Sequence, residues 1–301
     1  MTADLAPVSE PVAPPLLEPP PPVPPLLAPP LLSAPQGARY LVVFGVVAGW
    51  MTLGWMFHLK PNEYLLLGVP LLAVFQLGIA RRPISELWIR PASPAPFVWW
   101  GVPVAIVFMI APGLGLVDRW AVAGWSGRLW YFCAIVGAMP LAFALTRFSR
   151  ETLKSLLLCL ATGGVLGVLL MLGTAFLRHR LDDLSLRQLW SGGRQFLLYL
   201  PVCFILEEVF FRGGLDSYLH RPGDKLPWLS AAFLSVLWGW WHLPISPAHN
   251  VVQVLVLAFL YPIIHCLPGI PFSLFWRRSG SLLVPAAVHA FIDAVRNALL
   301  F

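Results

Sequence analysis

The chain has 301 residues, of which 58% are hydrophobic and only 11% are charged. Soluble domains carry about 25% charged residues, so the composition excludes an ordinary soluble domain and indicates a membrane protein with several spans. The formal net charge of +6 does not indicate nucleic-acid binding, because the basic residues stand singly or in pairs between apolar blocks, where positive-inside signals and headgroup contacts belong.

Residues 1–36 are rich in proline, with an unbroken run from Pro19 to Pro22. Such a segment cannot form a helix, so we predict a disordered or polyproline-like tail. It lacks the basic start and the unbroken apolar core of a signal peptide. We interpret the tail as a flexible tether; the alternative is a docking ligand for a partner protein.

From Ala38 onward, apolar blocks alternate with short polar joints. Because lipid admits only helices or closed barrels, and these blocks approach the ~20 residues of a spanning helix, we predict an all-α, polytopic transmembrane bundle of about eight spans, give or take one. The predicted spans are 39–58, 62–80, 96–117, 127–148, 152–177, 193–212, 228–244, 249–267 and 281–300. We divide them into an N-terminal transmembrane region, 37–189, and a C-terminal catalytic region, 190–301.

The strongest functional signal is Glu207-Glu208-x-x-x-Arg212, at the end of an apolar run that begins at Phe196. A carboxylate in hydrocarbon is costly, so an acid within a span is a functional residue by default. On a helix, Glu208 and Arg212 are four apart and can pair, whereas Glu207 points about 100° away from that partner. We therefore predict that Glu208 is neutralised structurally and that Glu207 is available for chemistry.

Two further polar groups follow in apolar runs: His242, four residues after Trp238, and the pair His289-x-x-x-Asp293. The pair lies on one helical face, like the i, i+4 ligand pairs of metal-binding helices. Together with Glu207, these groups can hold a divalent metal or a water between a glutamate base and histidine donors. Both alternatives activate water, so hydrolysis is the predicted reaction class. We expect the side chains to converge within roughly 3–7 Å in a pocket open to water on one side.

These three motifs together resemble the CPBP family, which contains type II CAAX prenyl endopeptidases and bacterial abortive-infection-like intramembrane proteases, with a myxosortase-like branch. The resemblance covers residues 190–300. It implies that Glu207 activates the water with help from His242. His289 and Asp293 would stabilise the oxyanion or contribute to the polar cluster. The implied supporting residues are Glu208, Arg212 and Trp238, the last standing where phenylalanine is usual and keeping an aromatic wall.

The resemblance further implies an intramembrane endopeptidase and leaves open whether it is a metalloprotease. If a metal such as zinc is used, the implied ligands are Glu207, His242, His289 and Asp293. The implied partners are membrane lipid and lipidated peptides or C-terminal anchor tails of exported proteins, with no nucleic acid, and the implied location is a bacterial inner membrane. A non-catalytic membrane scaffold and an ion or proton transporter, with Glu207 and His242 as its relay, are the alternatives.

The remaining polar and small residues of the spans are interpreted as structural. Four cysteines lie in apolar blocks without a C-x-x-C pair, which favours buried side chains over disulfides or zinc ligands. The small residues 161–164 and 167 predict close helix packing. The histidines without spaced partners, to which we assign no chemistry, are His58, His179, His220, His249 and His265.

Overall fold

The structure is a computed structural model that describes residues 35–89, 96–180, 186–221, 223–248 and 250–300. Over these ranges the chain is helical, which confirms the predicted all-α fold class; a single isolated bridge joins Ile89 and Ser281. The tail 1–36 lies outside the described residues except for Pro35 and Gln36, and His249 lies outside them as well. The predictions for the tail therefore stay predictions.

Nine helices follow one another along the described residues, joined by short connections that include 3-10 turns at Ile84–Leu87 and Leu243–Ile245. They are α1 Gln36–Met56, α2 Pro61–Ile79, α3 Gly101–Arg119, α4 Trp125–Leu145, α5 Arg150–Leu177, α6 186–219, α7 Pro227–Trp241, α8 Val251–Ser279 and α9 Leu283–Leu300. Seven of them, all except α6 and α7, are long and apolar enough to cross a membrane.

The largest differences from the predicted spans lie in α6 and α8. The eighth predicted span stops at residue 267, before Pro268, whereas α8 continues through Pro262, Pro268 and Pro271 to Ser279. Prolines are tolerated in such helices because neighbouring helices and local adjustments of the winding satisfy the backbone groups that they free. A proline in this chain is therefore a poor marker of a helix end.

The acid motif does not lie on a regular α-helix. After an α-helical part, Leu186–Cys203, α6 continues as a π-helix over Phe204–Asp216. Pro201 lies at the end of the α-helical part and cannot donate a backbone hydrogen bond, and the winding widens three residues later. Segments of π-helix occur frequently at functional sites, and this one carries all three charged residues of the motif.

The helices alternate in direction, so odd-numbered helices begin at one face of the bundle, here called face 1, and end at the other, face 2. On face 1, Arg39 Nη1 donates to the carbonyl of Leu219 (2.6 Å), and the N–H of Leu282 donates to Trp88 (3.1 Å). On face 2, the Tyr64 hydroxyl donates to the carbonyl of Trp241 (2.9 Å). These contacts join helix ends that the alternation places at the same face.

Close packing of α5 against α8 and α9 completes the C-terminal half of the bundle. A Cβ added to Gly167 would lie 2.4 Å from Ile292 Cδ1, and one added to Gly163 would lie 3.0 Å from Pro271 Cβ. Small residues are needed where helices approach this closely. The window of α9 that could span a membrane is 67% buried, so this helix runs through the centre of the bundle beside α6.

Candidate active site

Glu208, Arg212 and His289 form the buried base of the polar cluster. The side chains of Glu208 and Arg212 are fully buried, and their Oε1 and Nη1 atoms lie 3.2 Å apart. His289 Nδ1 lies 2.8 Å from the same Oε1 atom and donates to it. The guanidinium of Arg212 also lies 4.3 Å from the centroid of the Trp238 ring, a distance at which a cation is attracted to an aromatic face. Glu208 thus ties α9 to α6.

Glu207 faces away from this base and into a cavity. Its Oε2 atom accepts a hydrogen bond of 2.9 Å from Trp238 Nε1, which fixes the orientation of the carboxylate. The same oxygen lies 3.9 Å from His242 Nε2 and 4.0 Å from His289 Nε2. Both separations exceed a direct hydrogen bond, and each fits a single water held at about 2.8 Å from both atoms.

The tautomer of His242 follows from its backbone contact. Its Nδ1 atom lies 2.9 Å from the carbonyl oxygen of Trp238. A carbonyl only accepts, so Nδ1 carries the proton and Nε2 of the neutral ring keeps a free lone pair. Glu207 Oε2 and His242 Nε2 therefore both present acceptors to the space between them, and a water bound there would donate one proton to each.

Asp293 completes the cluster one helical turn beyond His289. Its Oδ2 atom lies 3.8 Å from His289 Nε2, and its Oδ1 atom accepts a hydrogen bond of 2.9 Å from Arg296 Nη1. The cluster contains three carboxylates and two guanidiniums, from Arg212 and Arg296. When His289 is protonated, the formal charge of the whole cluster is zero. An unbalanced charge would be costly in a site surrounded by apolar helices.

These side chains line a cavity of about 320 Å³, a size typical of small ligand pockets. Its polar wall contains Glu207, Trp238, His242, Tyr261, His265, His289, Asp293 and Arg296, and α5 supplies the apolar wall through Gly167, Leu170 and Met171. Helices α5 to α9 each contribute residues. The structure therefore brings together Glu207, His242, His289 and Asp293, and places Trp238 in contact with Glu207.

Two residues of the site were not among the predicted site residues. His265, interpreted above as structural, lines the cavity, and its ring centroid lies 4.5 Å from that of His242. Cys203 is buried as expected, but its thiol also points at Asp293, with Sγ 3.7 Å from Oδ2. His265 stands four residues after Tyr261, and Cys203 stands four residues before Glu207, so helical spacing offered a signal for each. Their place in the site follows from the packing of α8 and α9 against their neighbours.

One group of donors in the described part of the chain could hold a metal ion: Cys203, His289 and Asp293, whose ligand atoms lie within 4.8 Å of one another. Thiolate, imidazole and carboxylate are the ligand types of zinc. The group shares His289 and Asp293 with the predicted ligands but contains Cys203 instead of Glu207 and His242. The separations of 3.8 to 4.0 Å around His289 and Glu207 exceed the roughly 3.3 Å between neighbouring ligands of tetrahedral zinc.

Comparison with known proteins supports the resemblance that the motifs gave. Residues 190–295 match the family described as type II CAAX prenyl endopeptidase Rce1-like. Neither the curated proteins nor the solved structures contain a match to the chain. The matched region contains α7, α8 and most of α6 and α9, and thus all the residues of the polar cluster except Arg296.

The match indicates the general activity of the chain, that of a CAAX-type intramembrane endopeptidase. The seven helices able to cross a membrane agree with a membrane-embedded family. Over residues 190–295, the chain is similar to the CPBP family of intramembrane proteases.

Proposed function

We propose that the chain is an intramembrane endopeptidase in which Glu207 activates a water that it shares with His242. The observation that carries this proposal is the 3.9 Å separation between Glu207 Oε2 and His242 Nε2, at the wall of a cavity inside the bundle. Two acceptors at this spacing orient a water with its protons toward the protein and an oxygen lone pair toward the cavity. This lone pair would be directed at the carbonyl carbon of a peptide bound in the cavity.

Glu207 serves as the general base in this scheme. It takes a proton from the water as the oxygen attacks the carbonyl carbon, and the tetrahedral intermediate forms. The proton then passes to the amide nitrogen, the C–N bond breaks, and a carboxylic acid and an amine leave. General acid–base catalysis by a positioned side chain contributes about 10²- to 10⁴-fold.

His289 is the proposed donor to the oxyanion. Its Nδ1 atom is held by Glu208 at 2.8 Å, so when the ring is protonated Nε2–H points into the cavity between Glu207 and Asp293. A fixed donor at the point where negative charge develops is worth about 2.7–4 kcal/mol in other hydrolases. Asp293, itself a carboxylate paired with Arg296, cannot donate to an oxyanion while it is ionised. We assign it to the charge balance of the cluster.

Glu208, Arg212 and Trp238 are positioning residues in this proposal. Glu208 and Arg212 form a fully buried pair that holds the π-helical segment of α6 and orients His289. Trp238 orients Glu207 through its indole N–H. A divalent ion, if bound, would be held by Cys203, His289 and Asp293, where it would polarise a carbonyl oxygen.

The proposed substrate is a peptide that lies in or at the membrane, either lipidated or part of a C-terminal anchor. The cavity has a polar catalytic wall and an apolar wall formed by α5, which suits a chain entering from lipid. The location that we propose is a bacterial inner membrane. An ion or proton relay is disfavoured, because transporters often contain inverted repeats and the N-terminal half of the sequence has no acidic motif that matches Glu207-Glu208.

Cleavage of a quenched fluorescent peptide by the purified protein in detergent tests the proposal directly. We expect turnover by the wild type and a loss of at least about 10²-fold in Glu207→Gln. Glu207→Gln keeps the shape and the hydrogen-bond acceptor for Trp238, so the variant should fold and express like the wild type. Wild-type turnover in Glu207→Gln would remove Glu207 from the role of base. A scaffold or a transporter would show no cleavage in either protein.

A further inference from the structure

We propose that Arg39, Tyr218 and Arg221 form a binding site for the phosphate of an anionic phospholipid at face 1. The site lies where the start of α1 meets the connection between α6 and α7, and it shares no lining residue with the cavity around Glu207. Unlike the general contact of a membrane protein with lipid, it would select a headgroup by charge. The proposal does not depend on peptide cleavage.

Arg39 is a buried arginine in the first turn of α1. Its side chain is only 5% exposed, and its Nη2 atom lies 3.5 Å from Asp224 Oδ1. Its Nη1 atom donates a hydrogen bond of 2.6 Å to the carbonyl oxygen of Leu219. The Nε atom is buried and has no hydrogen-bond partner in the described part of the chain. Because a buried donor without an acceptor is costly, this N–H indicates a position for a bound acceptor.

Two further donors beside Arg39 need an acceptor. Tyr218 is 1% exposed, its ring packs edge-on against Phe75 at 5.4 Å between centroids, and its hydroxyl has no hydrogen-bond partner among the described residues. The Nη2 atom of Arg221 is likewise buried and unpartnered within those residues. The Tyr218 hydroxyl lies within electrostatic range of both guanidiniums. Since buried polar groups are ordinarily hydrogen-bonded, three donors left over in one region indicate a ligand.

The charge of this region is positive, so the expected ligand is an anion. Arg82 adds a third guanidinium, with its Nη1 atom 3.4 Å from the carbonyl oxygen of Ser217. Asp224 Oδ2 accepts a hydrogen bond of 2.9 Å from the N–H of Arg221, and its carboxylate offsets one of the three positive charges. Partial burial and the charges of Arg39 and Arg82 lower the pKa of Arg221. An anion between these groups would relieve their repulsion and accept from the unpartnered donors.

A phosphate group matches the chemistry of these donors. The planar guanidinium of arginine binds phosphate oxygens through charge-assisted hydrogen bonds, and the Tyr218 hydroxyl adds a neutral donor. The site lies at the end of helices that belong to a membrane protein, and basic pockets between such helices bind anionic headgroups. A headgroup phosphate is therefore the anion that this position would meet.

An apolar groove between α1 and α7 favours a phospholipid over free phosphate. It begins at Phe44, which is five residues from Arg39 and therefore about 7.5 Å farther along the helix axis. Phe44 and Trp55 are each 46% exposed, so the groove is open to lipid. The groove has a volume of about 230 Å³ and is lined by Phe44, Val47, Ala48, Met51, Trp55, Leu237 and Trp240. A phospholipid whose phosphate binds at Arg39 can lay an acyl chain along this groove.

Lipid titrations of the full-length protein in a neutral detergent, read by native mass spectrometry, test the proposal. The probes are dioleoyl phosphatidylglycerol, the zwitterionic dioleoyl phosphatidylcholine, and inorganic phosphate. Tyr218→Phe removes a hydroxyl that has no partner within the described residues, so the variant should unfold at the same temperature as the wild type without lipid. Arg221→Gln removes one positive charge from the site. Its matched control is Arg278→Gln, at the same face, whose Nε atom donates to Glu151 at 2.6 Å.

The wild type should bind phosphatidylglycerol at least about tenfold more tightly than phosphatidylcholine. Tyr218→Phe should weaken binding of phosphatidylglycerol by about tenfold and Arg221→Gln by at least about fivefold, with Arg278→Gln within about twofold of the wild type. Equal binding of the two lipids overturns the proposal, as does wild-type affinity in both site variants or an equal loss in Arg278→Gln. Binding of inorganic phosphate without binding of phosphatidylglycerol would assign the site to a soluble phosphate and overturn the lipid assignment.

Discussion

His289 on α9 donates a hydrogen bond of 2.8 Å from Nδ1 to Glu208 Oε1 on α6. Both residues are buried, and the same carboxylate oxygen lies 3.2 Å from Arg212 Nη1. The contact fixes the ring of His289 so that its other nitrogen faces the cavity. Glu208, which the sequence analysis assigned only a structural role, therefore orients His289, a candidate catalytic residue on another helix.

Glu208→Gln should lower kcat by about 10- to 100-fold and leave KM within a factor of two. Glutamine keeps the acceptor for His289 Nδ1 but removes the negative charge that favours the protonated ring, and a charged acceptor makes a hydrogen bond roughly twice as strong as a neutral one. Steady-state kinetics on the fluorogenic peptide measure the effect. A raised KM with wild-type kcat would place Glu208 in substrate binding instead.

Arg212→Met should destabilise the protein strongly, whereas Arg212→Lys should do so less. Methionine removes one of the two side chains that pair with the buried Glu208, the other being His289. Breaking a buried ion pair costs about 3–5 kcal/mol of unfolding free energy. Lysine keeps the charge but loses the planar stacking on Trp238 seen at 4.3 Å, worth ~1–2 kcal/mol when desolvated. Reversible unfolding in detergent measures both variants. Equal stability of the two would show that the charge of Arg212 is not required by Glu208.

Trp238→Phe should reduce kcat by about tenfold at most. The substitution removes the N–H that donates to Glu207 Oε2, a hydrogen bond to a charged group worth about 1.5–3 kcal/mol, of which water in the cavity recovers part. The smaller ring still packs between Arg212 and His289. Kinetic constants for the variant check this. A loss comparable to that of Glu207→Gln would mean that the indole N–H contributes directly to the chemistry.

Dialysis of the purified protein against a strong chelator should leave at least half of the activity. The 3.8–4.0 Å separations around His289 and Glu207 fit bridging water better than shared coordination of one ion. Cys203→Ser serves as the matched control, since it removes the only thiolate of the candidate metal group. Loss of activity on dialysis, restored by zinc in the wild type and not in Cys203→Ser, would establish a catalytic metal.

Several properties of this protein are determined by the sequence alone, because they depend on local chemistry. Apolar blocks of spanning length can only be helices in lipid, so the fold class followed from composition and spacing. The pairing of Glu208 with Arg212 followed from their spacing of four residues, which brings them together at 3.2 Å even though the helix is wound as a π-helix. The motif set around Glu207, His242 and His289 was sufficient to indicate the family.

Other properties exist only in the tertiary structure, because they join residues that are distant in sequence. No spacing connects Glu208 to His289, Trp238 to Glu207, or His265 to His242, and each contact requires two helices to pack in one register. Helix formation is a local property of the chain, whereas the register and depth of packed helices depend on contacts along their whole length.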